Sequence, residues 1–361
     1  ILSEVMSGVA DGGGATDVSG AAGFASLRIT RVVRETADAV SLVLDVPEHC
    51  SSEFRYQAGQ FLTVRVTLDG RELRRCYSMS SAPVQDELQI TVKRDPGGAV
   101  SNWINDTAAE GVERHAAPPE GRCVLREASD AADVLVAFAG GSGITPIISL
   151  VRTVLATSSR PIRLFYANRA RESAIFARVL DGLADAHPDR LVIVHHFDED
   201  GGVVTPSAIE HFIDPVDPVD SADYYICGPA PFMETVEKAV LKSGAPGTRV
   251  HLERFSVAQV PLGVTEDSAE PTEEVVIELD RNRTNAAYRA GNTLLQTARM
   301  AGLRAPSSCE TGSCGTCMAR VVEGSARMLN NDALEDDEVE EGWVLTCQSL
   351  PASRKVHIIY E

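Results

Sequence analysis

Twelve residues near the C-terminus constrain this chain of 361 residues more than any others. Ser307 to Met318 reads SSCETGSCGTCM, and a further cysteine follows in LTCQSLP. Cys309, Cys314, Cys317 and Cys347 therefore stand as C-x4-C-x2-C, then 29 residues, then C. That is the plant-type spacing in which four thiolates hold the two irons of a [2Fe–2S] cluster. Gly312, Ser313, Gly315 and Thr316 suit the same purpose: small residues let the backbone wrap closely and aim N–H groups at sulfur. Zinc sites are built from two short C-x2–4-C pairs, whereas three ligands here share one loop. Disulfides suit an oxidising compartment, and the rest of the chain reads as intracellular. A redox cluster is the expectation.

The totals narrow the class. A chain of this length forms two or three domains. It contains no apolar run of about 18 residues, so no membrane span is expected. The start, ILSEVMSGVADGGGATDVSGAAG, lacks a basic segment followed by an apolar one and is not read as a secretory signal. Residues 1–26 are expected to be a disordered tail, with Met6 a candidate start. A net charge of −19 argues against nucleic acid and anionic lipid as partners. Any anionic cofactor must then be met by local cations and backbone amides. Cys50, Cys76 and Cys123 read simply as small buried or surface residues, and free thiols beside a cluster fit the cytoplasm.

From residue 27 to 128 the pattern is short alternating runs, LRITRVV, VSLVLDV, FLTVRVTL and ELQITVKR, separated by turns such as Asp69-Gly70. This predicts an antiparallel barrel. Inside it, Arg75, Tyr77 and Ser78 offer an Arg for a pyrophosphate, a ring to cover an aromatic system, and a hydroxyl beside both. Gly97, Gly98 and Ser101 open a short helix whose N-terminus suits phosphate oxygens. The tetrapeptide alone would equally describe a surface Arg on a strand.

From 129 to 256 the periodicity changes. Val134 to Phe138 is a fully apolar run of the buried parallel kind, followed by AGGSGITP and a helical stretch. Four more strand-like runs alternate with helix-compatible segments, which predicts a doubly wound α/β sheet of about five strands. Gly141, Ser142, Gly143 and Thr145 open its first helix, suited to a dinucleotide pyrophosphate, although the sequence is not G-x-G-x-x-G. His195 and His196 end a strand with no supporting metal pattern. Arg169 and Arg171 read either as solvated charges or as contacts to the adenosine end of a dinucleotide. Residues 257–273 turn polar, acidic and Pro-containing, and read as a linker. Residues 274–361 then predict a small α+β domain around the cluster loop. Its run EDDEVEE, Glu335 to Glu341, reads as a solvated face, or alternatively as a docking surface for a redox partner.

The order R-x-Y-S, G-G-x-x-S, G-G-S-G-I-T-P, C-G-P and the C-terminal cysteines resembles the ferredoxin–NADP reductase superfamily. The whole span from Leu27 onward is similar to the three-cofactor reductases that feed bacterial oxygenases. KRDPGGAVSNWIND, YANR, YYICGPAPFM and the segment before Cys347 resemble two subfamilies. One is the reductase component of 3-ketosteroid 9α-hydroxylase, the other the reductase component of phenylacetyl-CoA epoxidase. The resemblance implies an FAD-binding barrel, a doubly wound NAD-binding domain and a β-grasp [2Fe–2S] ferredoxin domain. It implies FAD on Arg75, Tyr77 and Ser78, with Lys93, Gly97, Gly98 and Ser101 around the phosphates. Gly141, Ser142, Gly143, Thr145 and Pro146 would meet NADH or NADPH. Cys227, Gly228 and Pro229 would line the nicotinamide–flavin face, and Glu253 and Phe255 match the segment that returns to the flavin. Ser78, Cys227, Glu253 and Phe255 are thus the expected catalytic set. Ser313 and Thr316 depart from what the steroid branch carries there.

Such a protein passes electrons from NADH through FAD and the cluster to a separate oxygenase component, and is expected to be a monomer. None of its eight histidines has a Cys two residues before it or a Glu three before it, so no oxygen-activating centre is expected. The competing class is a ferredoxin-like carrier or redox sensor that does not oxidise nicotinamide. Gly140–Pro146 and Cys227–Pro229 favour the enzyme.

Overall fold

A computed structural model describes residues 23–85, 87–126, 133–216, 218–254, 272–307, 309–310 and 312–361. The alternating runs after Leu27 become β1 (Ala25–Thr36), β2 (Ala39–Asp45), β3 (Phe61–Leu68), β4 (Arg71–Ser78) and β5 (Leu88–Lys93). Helix α1 (Ala99–Thr107) and β6 (Glu113–Ala116) follow. They form one antiparallel sheet in the order β4-β3-β6-β1-β2-β5. The bridge Met79↔Ile90 joins its two ends, curling the sheet into a barrel. Alternate residues such as Leu27, Ile29, Leu42, Leu62, Val64 and Ile90 fill the interior. The sequence reading missed β6 because ERHA carries no alternating apolar signal; Arg114 within it is largely buried and donates to Thr107 O and Oγ1.

The next unit comprises β7 (Leu135–Gly140), α2 (Ile144–Thr157), β8 (Ile162–Asn168), α3 (Ala177–Ala186), β9 (Leu191–Phe197), α4 (Asp198–Gly201), α5 (Pro206–Ile213), β10 (Asp223–Cys227), α6 (Ala230–Lys242) and β11 (Val250–Glu253). All five strands are parallel, in the order β11-β10-β7-β8-β9. The order reverses between β7 and β10, so the carboxyl ends of those two strands frame the crevice where doubly wound sheets bind ligands. Residues of β7 and β10 are buried throughout, because helices cover both faces.

The C-terminal unit has β12 (Glu274–Leu279), β13 (Asn282–Ala287), α7 (Leu294–Met300), β14 (Met318–Glu323), β15 (Ala326–Met328), α8 (Asp336–Glu340), β16 (Trp343–Leu345), β17 (Ser349–Pro351) and β18 (Lys355–Ile359). Its main sheet runs β13-β12-β18-β14-β16, with first strand β12 and last strand β18 paired in parallel at the centre. Thr293 and Gln296 cap α7 reciprocally, and Leu294, Leu295 and Ala298 pack onto the sheet. The three-residue strands and α8 were too short to show a period. The expected tail lies, over residues 1–22, outside the described residues. Most of the expected linker, residues 257–271, and Phe255 lie outside them as well.

Gly143 shows how tightly the two nucleotide-side loops pack. A Cβ there would lie 2.1 Å from the carbonyl oxygen of Cys227. Gly143→Ala must therefore push backbone from backbone. It should lower unfolding stability by about 1–3 kcal/mol or more, read as a fall in the thermal midpoint. Unchanged stability would contradict this packing.

Candidate electron-transfer site

The barrel and the parallel sheet meet along a cleft of about 1610 Å³. On the barrel side it is lined by Arg75, Tyr77, Ser78, Lys93, Gly97, Gly98 and Ser101. On the opposite side it is lined by Gly141, Ser142, Thr145, Gly228, Pro229 and Glu253. Two helices begin at its walls, α1 after Gly98 and α2 after Gly143, and neither has a side-chain cap at its N-terminus. At α2 the Ile144 N–H is already bonded to the Gly141 and Ser142 carbonyls and Pro146 has no N–H, so its pull on an anion rests mainly on the helix dipole, whereas α1 offers its first amides as well. Two such openings on one cleft fit two dinucleotides. Gly143, Pro146 and Cys227 stand behind the wall rather than on it, and Cys227 is fully buried.

Glu253, the last residue of β11, lies beside Cys227 in register and reaches across to the barrel. Ser78 Oγ donates to Glu253 Oε1 at 2.5 Å, a bond spanning 175 positions. The second oxygen, Oε2, is buried and without a partner among the described residues. Burial pushes the Glu253 carboxyl up to about 8, and the Ser78 hydrogen bond only partly opposes this. Burial, then the neighbouring Glu253, likewise raises the Cys227 thiol. A protonated, half-satisfied carboxyl facing a cleft is chemistry aimed at a bound group.

The four motif cysteines come together as two thiol pairs. Cys309 and Cys314 act on each other electrostatically as near neighbours, and so do Cys317 and Cys347. Among the described residues no three or more His, Cys, Asp or Glu side chains converge on a single ion. The pairwise arrangement fits a two-iron cluster, in which each iron takes two protein sulfurs. Within the second pair, the neighbouring Cys347 lowers the Cys317 thiol, and Cys317 in turn raises Cys347. Gly312, at φ +89, turns the loop where a Cβ would crowd Asn330. All eight cysteines are free thiols.

The cluster loop is clamped to the barrel. Arg74 Nη1 pairs with Glu310 Oε1 at 3.0 Å, and Arg299 Nη2 with the same oxygen at 2.6 Å. Thr316 Oγ1 donates to Glu120 Oε1 at 3.0 Å. Arg122 donates to Ala333 O at 2.9 Å and to Glu338 Oε2 at 2.8 Å. The acidic run is thus not wholly a solvated face, since Glu338 of α8 faces the barrel. Sequence reasoning had no signal for the partners on the barrel, which lie about 200 positions from the cluster loop. At the far end of the cleft, Arg171 pairs with Asp200 at 2.8 Å and stacks on Phe197, while Arg169 and Asp198 line the opening.

Fold, cleft and thiol pairs define an NAD(P)H-dependent iron–sulfur flavoprotein reductase. Residues 26–124 match the oxidoreductase FAD-binding domain family, 138–238 the oxidoreductase NAD-binding domain family, and 277–352 the 2Fe-2S iron-sulfur cluster binding domain family. The chain is 36% identical over 341 residues to the 3-ketosteroid-9-alpha-monooxygenase ferredoxin reductase component of Rhodococcus rhodochrous, covering 92% of this chain and 95% of that one. It is 30% identical over 351 residues to a component of the 1,2-phenylacetyl-CoA epoxidase of Escherichia coli, covering 94% and 98%. The solved structure of phthalate dioxygenase reductase superposes with a TM-score of 0.62 at 28% identity, covering 94% of this chain and 98% of that one. The chain belongs to the family of ferredoxin reductase components of oxygenases, with FAD-binding, NAD-binding and C-terminal [2Fe–2S] domains. Among the described residues no helix is long and apolar enough to cross a membrane.

The raised Glu253 has a measurable consequence. Between its ordinary value of 4.5 and about 8, the folded protein keeps a proton that the unfolded chain releases. Stability should therefore fall as pH rises through that window, by on the order of 5 kcal/mol for this group, and level off above it. Glu253→Gln should flatten the fall in thermal midpoint between pH 5 and 8 in flavin-stripped protein. An equal fall in both proteins would contradict the burial argument.

Proposed function

We propose that the protein takes electrons from NADH and passes them through FAD and a [2Fe–2S] cluster to a separate oxygenase acting on a 3-ketosteroid. One observation carries the path. The cleft that opens on both uncapped helices continues past Ser78 and Glu253 to Ser313 and residues 331–336 of the cluster domain. Similarity to the Rhodococcus rhodochrous reductase component supports the steroid assignment, and free thiols throughout support a cytoplasmic setting.

Bound in this cleft, FAD supplies the exchange between a two-electron hydride and single electrons. The residues provide the setting. Arg75 and Lys93 place positive charge beside Gly97, Gly98 and Ser101 for the FAD phosphates, and Tyr77 gives its ring to the flavin face. Gly141, Ser142, Gly143, Thr145 and Pro146 shape the start of α2 for the NADH pyrophosphate. Gly228 and Pro229 flank the nicotinamide, with Cys227 backing them. Ser78 and Glu253 hold a proton between Oγ and Oε1 beside the reacting rings, and Phe255 is assigned to the same returning segment. Cys309, Cys314, Cys317 and Cys347 ligate the cluster. The exposed acidic residues Asp336, Asp337 and Glu340 offer a partner with a basic surface its approach.

NADH is favoured over NADPH because Arg171 is already engaged by Asp200, and Asp198 would meet a 2′-phosphate with like charge. A preference for NADPH in kcat/KM of more than about tenfold, ~1.4 kcal/mol, would overturn this choice.

Replacing any one of the four ligand cysteines by Ser should abolish NADH-driven reduction of cytochrome c. A normal rate in all four variants would show that the electrons take another route. For the partner, reconstitution with a ketosteroid oxygenase and with a phenylacetyl-CoA epoxidase should give hydroxylated steroid only. Epoxide formation alone would replace the steroid assignment. Product from the isolated chain with NADH and oxygen would remove the need for a partner altogether.

A further inference from the structure

The barrel and the nucleotide-side unit are joined by more than Glu253. Beyond β4 the chain runs on through Ser80 and Ser81, both buried. Their hydroxyls are used inside the barrel. Ser80 Oγ is 2.8 Å from Thr91 Oγ1. Ser81 Oγ is 2.7 Å from the Tyr56 hydroxyl and accepts from the Gln89 N–H at 2.9 Å. Their carbonyls are used by α2. Ser149 Oγ donates to Ser81 O at 2.6 Å, and Arg152 Nη1 donates to Ser80 O at 2.8 Å. Ser149 is fully buried, and Arg152 stands three residues further along the same face of the helix.

These bonds join two stretches that hydride transfer needs in fixed relation. Thr145, at the start of α2, lines the cleft, and Ser149 and Arg152 follow it by about 6 Å and about 10 Å along one helix axis. Ser78 lines the same cleft, and Ser80 and Ser81 follow it by two and three residues. The Ser78–Glu253 bond ties this segment to β11, and α2 ties it twice more. A single bond would let the two units hinge about it; three bonds to two elements do not. Main-chain carbonyls are also stiff anchors, since they have no rotamers to change. Neither Ser149 nor Arg152 lines the cleft, so neither acts by touching a ligand.

We propose that Ser149 and Arg152 are positioning residues that lock the dinucleotide loop to the flavin-binding strand through the Ser80 and Ser81 carbonyls, and so hold nicotinamide and flavin at reacting distance. The proposal rests on the NADH-to-FAD reading above. Hydride transfer breaks the C–H bond at nicotinamide C4 and forms an N–H bond at flavin N5, NADH becoming NAD+ as FAD takes both electrons. A step between two held centres falls steeply with misplacement. Without either bond, α2 still meets NADH at its start but holds it less steadily against the flavin. Binding survives and the transfer slows.

The test is anaerobic stopped-flow reduction of the holoprotein flavin over a range of NADH concentrations, which separates the NADH Kd from the limiting rate. The long-wavelength charge-transfer absorbance of NAD+ against reduced flavin is read in the same runs. Ser149→Ala and Arg152→Met should each lower the limiting rate by about tenfold to a hundredfold and weaken the charge-transfer band, with little change in Kd. Arg152→Lys keeps a charged donor and should recover most of both. An unchanged rate and band in either removal variant, or a loss confined to Kd, overturns the proposal. So does Arg152→Lys behaving as Arg152→Met does. Wild-type flavin that NADH leaves oxidised overturns the NADH-to-FAD reading instead. If one removal variant cannot hold flavin, the other decides. If neither can, amide hydrogen exchange on the wild-type holoprotein decides. NAD+ should slow exchange at the Ser80 and Gln89 amides, which lie off the cleft, and exchange unaltered by NAD+ overturns the proposal.

Discussion

A single strand, β4, makes this molecule one electron-transfer device rather than three linked domains. Electron transfer needs its centres held close and shielded from water, and β4 is where the three units meet. Its alternation puts Arg74 and Ser78 on one face, against Glu310 and Glu253 respectively. Arg75 and Tyr77, on the other face, line the cleft, and so does Ser78 beside its bond to Glu253. One short strand thus carries both cleft-lining and interdomain contacts. A slip of one residue in register would turn every one of these side chains to the opposite face, which the full β3–β4 ladder, Phe61↔Ser78 to Leu68↔Arg71, prevents.

Much of this was legible beforehand, and the boundary of legibility has a physical origin. The barrel strands, β7, the glycine loop and the cysteine spacing announce themselves because each depends on a local period or a local turn. Arg74 drew no attention, since its partner Glu310 lies more than 200 positions away. Glu338 looked solvated because nothing in EDDEVEE reveals Arg122. Cys227 sits in the right motif, yet the dense packing of Gly143 beneath it places its sulfur behind the cleft wall. Sequence reports which groups are available; long-range contact decides which of them face the ligand.

The charge distribution follows the same division. The chain carries a net charge of −19, yet the cleft gathers Arg75, Lys93, Arg94, Arg122 and Arg169 along its length. The same lining carries Asp38, Asp95, Asp198, Glu253, Asp332, Glu335 and Asp336, so the cations act at points along the cleft rather than as a net basic field, while the acidic surface repels nucleic acid. The ion pairs that clamp the cluster loop, Arg74–Glu310 and Arg299–Glu310, are partly buried and so are screened less by salt than those on the rim.

The two thiol pairs differ in what they ask of the polymer. Cys309 and Cys314 are neighbours in one loop, so joining them costs the chain little freedom. Cys317 and Cys347 enclose 29 residues that include β14, β15, α8 and β16. Tying those ends through metal removes chain entropy from the unfolded state much as a disulfide would, worth about 3.5 kcal/mol for a loop of that length. With these four cysteines as the proposed ligands, the redox centre is then also a staple, and loss of iron would loosen the C-terminal domain.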